Sequence, residues 1–416
     1  MNPIDAGRSS PEPSLSLFWR VLLPFAGGYF LSYVYRTVNA VIAPDLVASL
    51  SLSASDLGLL TSVYFLTFAL FQLPLGILLD RFGPRRVEAA LLLFAALGAL
   101  LFGLSAGRDG LIAGRGLIGL GVSACLMAGF KAFVMWFPAP RLPVVNGWIM
   151  AAGGLGALAA TAPVEAILQI TDWRGLFIGL SAATLAVAIV ILWVVPERAG
   201  QESGTSVRDQ LGGVVEVFSN GYFWRIAPLT TLSQAAFLSI QGLWAGPWLK
   251  DVAGLGRAAV ANYLLLVAAA MVAGFLLMGN LAYRLSRVGI QPRTVAGGGM
   301  LCFMLTQLAI TLGCTELALP LWVLFGFFGT SGMVSYAVLS QAFPAALAGR
   351  VNTALNLLVF IAAFIGQWGI GAIINRWPAE AAGYLLQGYQ AGFGVVLILQ
   401  ALAFVWFVTA GRRQSA

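Results

Sequence analysis

The sequence predicts an all-α membrane protein in which twelve transmembrane helices form two similar six-helix bundles. Of its 416 residues, 60% are hydrophobic and only 9% are charged, whereas soluble domains are about one quarter charged. The apolar residues fall in separate runs of about 20, the length that crosses a hydrocarbon core of roughly 30 Å. Short motifs also recur about 200 residues apart. A soluble globular protein is therefore excluded.

We place the first six spans at 19–43, 54–79, 87–105, 110–136, 143–169 and 175–195. The second six lie at 225–249, 258–282, 294–313, 318–341, 352–375 and 387–409. The chain then divides into a tail at 1–18, a first bundle at 19–196, a central loop at 197–224, a second bundle at 225–410 and a tail at 411–416. In the central loop, apolar residues recur at helical spacing, which is typical of an amphipathic helix on a membrane surface: Val207, Leu211, Val214, Val215 and Phe218.

The distribution of lysine and arginine predicts the orientation. Fifteen of the 23 basic residues lie in the two tails or in the loops that follow even-numbered spans, and five lie in the alternate loops. Because basic loops are retained in the cytoplasm, both termini and the central loop are predicted to be cytoplasmic. We expect a multi-pass monomer surrounded by the lipid of the cell inner membrane. The net charge of +7 is explained by the basic loops that determine this orientation, so it does not indicate a nucleic-acid partner.

Two stretches of sequence 203 residues apart resemble each other. Residues 76–86 read GILLDRFGPRR, and residues 279–289 read GNLAYRLSRVG, with Tyr283 in place of Asp80. Further along, Phe137 recurs as Phe343 at an offset of 206, each followed by proline. A duplicated six-helix unit is the usual build of transporters whose halves rock about a site between them.

The first stretch resembles the signature loop of the major facilitator superfamily, G-x-x-x-D-R-x-G-x-R-R, at every specified position. Arg115 and Gly119 fit a second motif of that family, the Arg-x-x-x-Gly of span four. The resemblance covers essentially the whole chain, since the span number, the central loop and the repeat agree. It implies the family's fold and a secondary transporter that works by alternating access, without enzymatic activity or a cofactor.

The signature loop predicts a conformational gate on the cytoplasmic side. Gly76 allows close approach of two helices, and Asp80 can pair with arginines and with the positive end of an adjoining helix. Such a charge cluster can latch one state and release it as the halves rock. The alternative is that these arginines only determine the topology. The gate candidates are Gly76, Asp80, Arg81, Gly83, Arg85, Arg86 and Arg284.

Two basic residues inside spans are candidates for substrate binding, because an ionisable group in the membrane is costly and by default functional. Arg36 in span one, with Tyr33, Tyr35 and Asn39 around it, fits a site for an anion. Snorkelling to the interface is the alternative. Lys131 in span four is either a substrate contact or a snorkelling side chain.

Proton coupling needs a titratable carboxylate, and few are available inside the spans. We expect Glu165 to be the only acid within a span, while Asp45 flanks the first periplasmic loop. Arg115 is a third coupling candidate; the alternative is a structural role, with Glu165 as its partner. Up to three embedded cations then face at most one acid. This balance favours an anionic substrate, since its binding would offset the cost of a buried cation.

Further substrate-binding candidates come from the spans that line the centre in this family and from span eleven. They are Gln241 and Trp244 of span seven, Tyr336 of span ten and Asn356 of span eleven. For each of them an interhelical hydrogen bond is the alternative. Span five lacks the G-P-x-x-G-G segment that drug exporters of the family usually carry.

The leading hypothesis is uptake of a small organic anion, coupled to protons by symport. Uniport and anion exchange remain open, and efflux of an amphipathic metabolite, siderophore or drug is the alternative. A non-transporting membrane sensor is a remote alternative, since the loops are too short for a sizeable soluble domain. The chain has no histidine and three scattered cysteines, so no metal site is predicted.

Overall fold

The computed structural model describes residues 15–138, 141–197, 207–377 and 383–409, and these are almost entirely helical. The predicted tails, apart from residues 15–18, and part of the central loop, 198–206, lie outside the described residues. The helices of the first half are α1 (Leu15–Thr37), α2 (Asn39–Leu50), α3 (Ala54–Leu104), α4 (Arg108–Gly121), α5 (Cys125–Trp136), α6 (Leu142–Ala159), α7 (Ala162–Ile167) and α8 (Trp173–Val194). After α9 (Val207–Phe218), the second half has α10 (Gly221–Ser239), a π-helical segment (Ile240–Trp244), α11 (Ala245–Asp251), α12 (Arg257–Ser286), α13 (Pro292–Thr311), α14 (Ala318–Phe328), α15 (Met333–Ala342), α16 (Ala345–Ile374) and α17 (Leu386–Thr409).

The predicted all-α architecture with twelve membrane-crossing helices is confirmed. Within the described ranges, ten helical segments are long and apolar enough to cross a membrane. The remaining two spans are interrupted ones. Span five consists of α6 and the short α7, and span seven consists of α10, the π-helical segment and α11.

Gly83 separates spans two and three inside α3. Its φ of 77° and ψ of 159° are not helical, and a residue with a Cβ adopts such a conformation only with strain. Helical segments therefore run over 54–82 and 84–104, with the signature loop at the turn between them. We call the end of the bundle that carries this turn and α9 the central-loop end, and the other end the opposite end.

Four spans are broken at corresponding places in the two halves. α1 and α2 meet at Val38, and the π-helical segment interrupts span seven. Non-helical residues also separate α4 from α5 at 122–124 and α14 from α15 at 329–332. Broken helices are tolerated at membrane depth only where protein or a water-filled cavity surrounds them. Spans one, four, seven and ten are therefore expected to surround the centre of the molecule, whereas the break in span five, between α6 and α7, lies near the opposite end.

The two halves pack closely at the opposite end. Gly246 of α11 lies so close to the backbone oxygen of Ala40 in α2 that a side chain would not fit between them. Gln367 of α16 donates a hydrogen bond of 2.5 Å from Nε2 to Oγ1 of Thr61 in α3. These contacts join the halves there, and the space between them lies nearer the central-loop end.

We predict that Gly119→Ala lowers the unfolding temperature of the purified protein. A Cβ at Gly119 would collide with the backbone oxygen of Tyr64 in the neighbouring α3, and such overpacking typically costs about 1–3 kcal/mol. Gly116→Ala is the matched control on the same helix, because its Cβ would meet only side-chain methyl groups, at 3.4 and 3.5 Å. Thermal unfolding in detergent checks both variants, and equal unfolding temperatures would contradict the close packing of α4 on α3.

Candidate functional site

A cavity of about 270 Å³ lies between the two halves. The first half contributes residues of α1, α3, α5 and α6 to its wall, and the second half contributes residues of α10, α12, α15 and α16. Much of the wall is aromatic or methionine: Tyr29, Tyr33, Phe68, Met127, Phe130, Met150, Phe237, Met271, Phe275, Met333, Tyr336 and Phe360.

Arg36 is the only charged residue among the described residues that line this cavity. Its guanidinium carbon lies 4.7 Å from the ring centre of Tyr33, 5.5 Å from that of Phe68 and 5.4 Å from that of Phe360. Its Nε is buried without a hydrogen-bond partner, and no described carboxylate forms an ion pair with it. Three aromatic faces stabilise the cation in part, and the unpartnered Nε shows that its hydrogen-bonding capacity is not fully used.

Four of the other predicted substrate-binding residues lie in the same wall. Tyr33 lies beside Arg36, and Gln241 lines the wall from the π-helical segment. Tyr336 donates a hydrogen bond of 2.7 Å to Oδ1 of Asn356, and both residues line the cavity from the second half. The cavity thus has a cationic group on α1 and neutral polar groups across from it.

Four predicted substrate-binding residues lie outside the wall: Lys131, which pairs with Asp80, and Tyr35, Asn39 and Trp244. The Tyr35 hydroxyl is hydrogen-bonded at 2.8 Å to the Thr184 hydroxyl of α8, on the far side of α1. Asn39 follows the break at Val38 and is buried. Trp244 donates from Nε1 to the backbone oxygen of Gln367 at 3.0 Å, where it joins span seven to α16.

The signature loop forms ion pairs inside the first half. Asp80 pairs with Lys131 of α5, and both Arg85 and Arg86 pair with Glu197 at the end of span six. Lys131 therefore contacts Asp80 in this state, and it is not among the residues that line the cavity. The ion pairs connect spans two, three, four and six at the central-loop end, which is where a gate within this half would have to act.

The other gate candidates lie around this cluster. Gly76 is half-buried in α3, and Gly83 forms the turn. Arg81 is exposed, with its guanidinium carbon 5.2 Å from the ring centre of Phe82. Arg284, in the last turn of α12, is exposed at the corresponding place in the second half.

A second charge cluster joins the two halves at the opposite end. Arg257, the first residue of α12, donates from Nη1 and Nη2 to the two carboxylate oxygens of Asp45 in α2, at 2.6 and 2.7 Å. Its Nε lies 2.7 Å from each carboxylate oxygen of Glu165 in α7. Glu165 is thus the partner of Arg257, and the alternative that it pairs with Arg115 is wrong for this state.

Arg115 supports the broken end of α1. Its Nη1 donates at 3.1 Å to the backbone oxygen of Tyr35, and its guanidinium carbon lies 5.1 Å from the ring centre of Tyr64. Because α1 ends at Thr37, Tyr35 is among its last residues, whose carbonyl groups lack the usual helical partners. Arg115 therefore positions the part of α1 that carries Arg36.

Glu88 contradicts the expectation that Glu165 is the only acid within a span. It lies in span three, its side chain is fully buried, and neither carboxylate oxygen has a hydrogen-bond partner. Position 88 falls inside the predicted span 87–105, which was the available signal. Because Arg85 and Arg86 directly precede it, the local sequence assigns Glu88 to the basic loop between spans two and three.

Comparisons with known sequences agree with this architecture. The profile described as Major Facilitator Superfamily matches residues 25–367. A probable sulfoacetate transporter of Cupriavidus necator is 21% identical over 394 residues, covering 89% of this chain and 90% of the relative. A probable L-galactonate transporter of Escherichia coli (strain K12) is 25% identical over 419 residues, covering 93% of this chain and 88% of the relative.

A solved structure shows the same fold. It is a bacterial homolog of the human lysosomal transporter Spinster in an inward-facing, occupied conformation. It aligns with a TM-score of 0.78 over 96% of this chain and 98% of that one, at 19% sequence identity. At that identity the likeness bears on the fold alone.

We predict that Arg257→Ala opens the opposite end. The change removes ion pairs that connect the halves and leaves the buried Glu165 without its cation, so we expect the open population to rise roughly 5-fold or more. Distance measurements between two spin labels, one in each half near this end, report the change. Arg108→Ala is the control, because Arg108 pairs with Asp56 inside the first half. An equal effect of both variants would argue against a latch between the halves.

Proposed function

Because the chain belongs to the Major Facilitator Superfamily, we propose that this transport protein carries a small organic anion across the cell inner membrane by alternating access. The observation that carries the proposal is Arg36, a nine-tenths buried cation in the central cavity with no described acidic partner. Its family and its relatives are transporters, and the chain likewise acts as a transporter and not as an enzyme.

The charge of the cavity selects the sign of the substrate. Removing a guanidinium from water costs free energy that its surroundings in the cavity recover only in part. An anion that binds to the guanidinium offsets the rest of that cost. A carboxylate or sulfonate also accepts two parallel hydrogen bonds from the fork of Arg36. A cationic ligand would instead meet an unshielded positive charge. The two relatives named for sulfoacetate and L-galactonate, both organic acids, support the same substrate class.

The rest of the wall indicates the shape of the substrate. Aromatic rings and methionine side chains surround Arg36, and they favour a substrate with a ring or an apolar face beside its anionic group. Gln241 and Asn356 can donate or accept hydrogen bonds at the far side of the cavity. A substrate of this kind has one acidic end and a body that packs against the second half.

The orientation and the transport direction belong to the proposal. With the central-loop end in the cytoplasm, as the basic loops predict, the opposite end faces the periplasm. The cluster of Asp45, Glu165 and Arg257 then closes the periplasmic side, and the cavity belongs to the cytoplasm-facing state. Uptake requires the cluster to break so that the halves rock and Arg36 becomes accessible from outside.

One observation favours efflux of an amphipathic metabolite as a second candidate, namely the apolar character of the wall. Transport in proteoliposomes of known orientation separates the two directions. Accumulation of an anion that is driven by an inward proton gradient supports uptake. Extrusion of the substrate against its gradient while protons flow inward, which is antiport, supports efflux.

We predict that only anions bind, and that Arg36→Ala abolishes most of this binding. Calorimetry on purified protein would test sulfoacetate, L-galactonate, glucuronate and benzenesulfonate against glucose and tetraphenylphosphonium. Loss of a charge-assisted hydrogen bond is worth about 1.5–3 kcal/mol, so we expect affinity to fall by about tenfold to a hundredfold.

Two further variants sharpen this test. Arg36→Lys should recover part of the affinity, because lysine keeps the charge but lacks the planar fork. Arg376→Ala removes an exposed arginine outside the cavity and should leave the affinity unchanged. Binding of tetraphenylphosphonium alone, or anion binding that is unaffected by Arg36→Ala, would overturn the proposal.

A further inference from the structure

Glu88 is a fully buried carboxylate with two unpartnered oxygens inside the membrane-spanning part of α3. No described cation pairs with it. An ionised carboxylate in such surroundings is far more costly than the neutral acid, because no described counter-charge offsets its desolvation and the group beside it is a thiol, a weak donor. The geometry therefore points to a group that holds a proton in this state.

The acid lies directly behind the wall of the cavity. Its Oε1 fills the place that a Cβ of Gly28 in α1 would occupy, and the thiol of Cys125 in α5 borders the same place at 3.7 Å. Gly28 precedes the lining residue Tyr29, and Cys125 precedes the lining residue Leu126. Glu88 thus lies against α1 and α5, the two helices that carry these lining residues, and is not itself among the residues of the wall.

The surroundings of Glu88 contain few other titratable groups. On α5, Cys125 faces the acid, while Lys131 is paired with Asp80. α8 carries one titratable residue, Arg174, which donates to backbone oxygens of the loop at the opposite end. On α4, Arg115 is held by the Tyr35 carbonyl.

The charged residues near Glu88 on α3 and α1 have other contacts. Arg85 and Arg86 of α3 are paired with Glu197, while on α1 Tyr29 and Arg36 line the cavity. Arg20, the other arginine of α1, is exposed. Arg36 is therefore the buried cation of α1 whose charge no described carboxylate pairs.

We propose that Glu88 is the proton-binding site of this transporter and that its protonation strengthens the binding of the anion at Arg36. This inference rests on the proposed function. Arg36 comes eight positions after Gly28, which corresponds to a rise of about 12 Å along α1. At an effective dielectric constant of about 20, the interaction of a negative charge with the guanidinium at that distance would lower the affinity of Arg36 for an anion about tenfold.

The mechanism follows from charge balance. When Glu88 carries its proton, the anion alone neutralises Arg36, and the loaded cavity carries no excess charge. When Glu88 releases the proton, its carboxylate stabilises the charge of Arg36, and the affinity of Arg36 for the anion falls. Proton and anion thus favour each other's binding, which is what symport requires. Because the acid is occluded here, proton exchange requires α1 to move relative to α3 and α5.

The first test measures protonation without any ligand. Infrared difference spectra of the purified protein should contain the band of a neutral carboxyl group at neutral pH, and Glu88→Gln should remove it. Asp109→Asn, which alters an acid in the exposed first turn of α4, should leave the band unchanged. A band that persists in Glu88→Gln would overturn the assignment of the proton to this residue.

The second test measures coupling with benzenesulfonate, whose own charge does not titrate. In the wild-type protein its affinity should fall about tenfold as the pH rises through the titration of Glu88. Glu88→Gln, which mimics the protonated acid, should bind it tightly at every pH and retain exchange while losing proton-driven accumulation. A pH dependence that survives in Glu88→Gln would refute the coupling. Absence of anion binding in every variant would instead refute the proposed function.

A pair of glycine variants separates coupling from folding. Gly28→Ala places a methyl group where the Glu88 carboxyl lies, so it should displace the acid and shift the pH dependence of benzenesulfonate binding. Gly27→Ala meets only methyl groups of Val187, at 3.6 and 3.7 Å, and should behave as the wild type. The infrared band serves as a second readout for both variants. Identical pH profiles and bands for the two variants would contradict the placement of Glu88.

Discussion

The organisation of this protein depends on one constraint: a guanidinium in the membrane must be compensated, and Arg36 is compensated only in part. Aromatic faces surround it and Arg115 holds the end of the helix that carries it, yet no described carboxylate reaches it. A hydrogen-bonded carboxylate would have satisfied the cation internally and removed the reason for a ligand to bind. The remaining electrostatic deficit is what makes the cavity a site for an anion.

The other embedded charges are arranged around this deficit. Asp45 and Glu165 share the single cation of Arg257 at the junction of the halves, and Asp80 pairs with Lys131 inside the first half. Each cluster can break only if helices move apart. The ion pairs therefore stabilise the state in which these helices are close together. Glu88 differs from these acids, since protonation rather than an ion pair is the available means of compensation.

Much of the candidate site could be predicted from local sequence. Arg36 and Tyr33 are visible because polar residues interrupt an apolar run, and an ionisable residue in such a run is rare. The expected lining role of Gln241 and Tyr336 came from the family's known central spans, and the structure places both residues in the wall. The direction of a side chain around its helix could not be read in this way. Tyr35 differs from Arg36 by one position, yet it faces α8, because adjacent residues on a helix point about 100° apart.

By itself, the sequence determined the number of spans, the duplication, the signature loop around Gly83 and the presence of arginines inside spans. Each of these follows from local composition or from an exact spacing along the chain. Only the tertiary structure decided which charges pair: Arg257 with Asp45 and Glu165, Lys131 with Asp80, and Glu88 with no described partner. Asp45 and Arg257 are 212 positions apart, and an ion pair acts over a few ångströms in space. No pattern along the chain reports such a distance until the helices have packed.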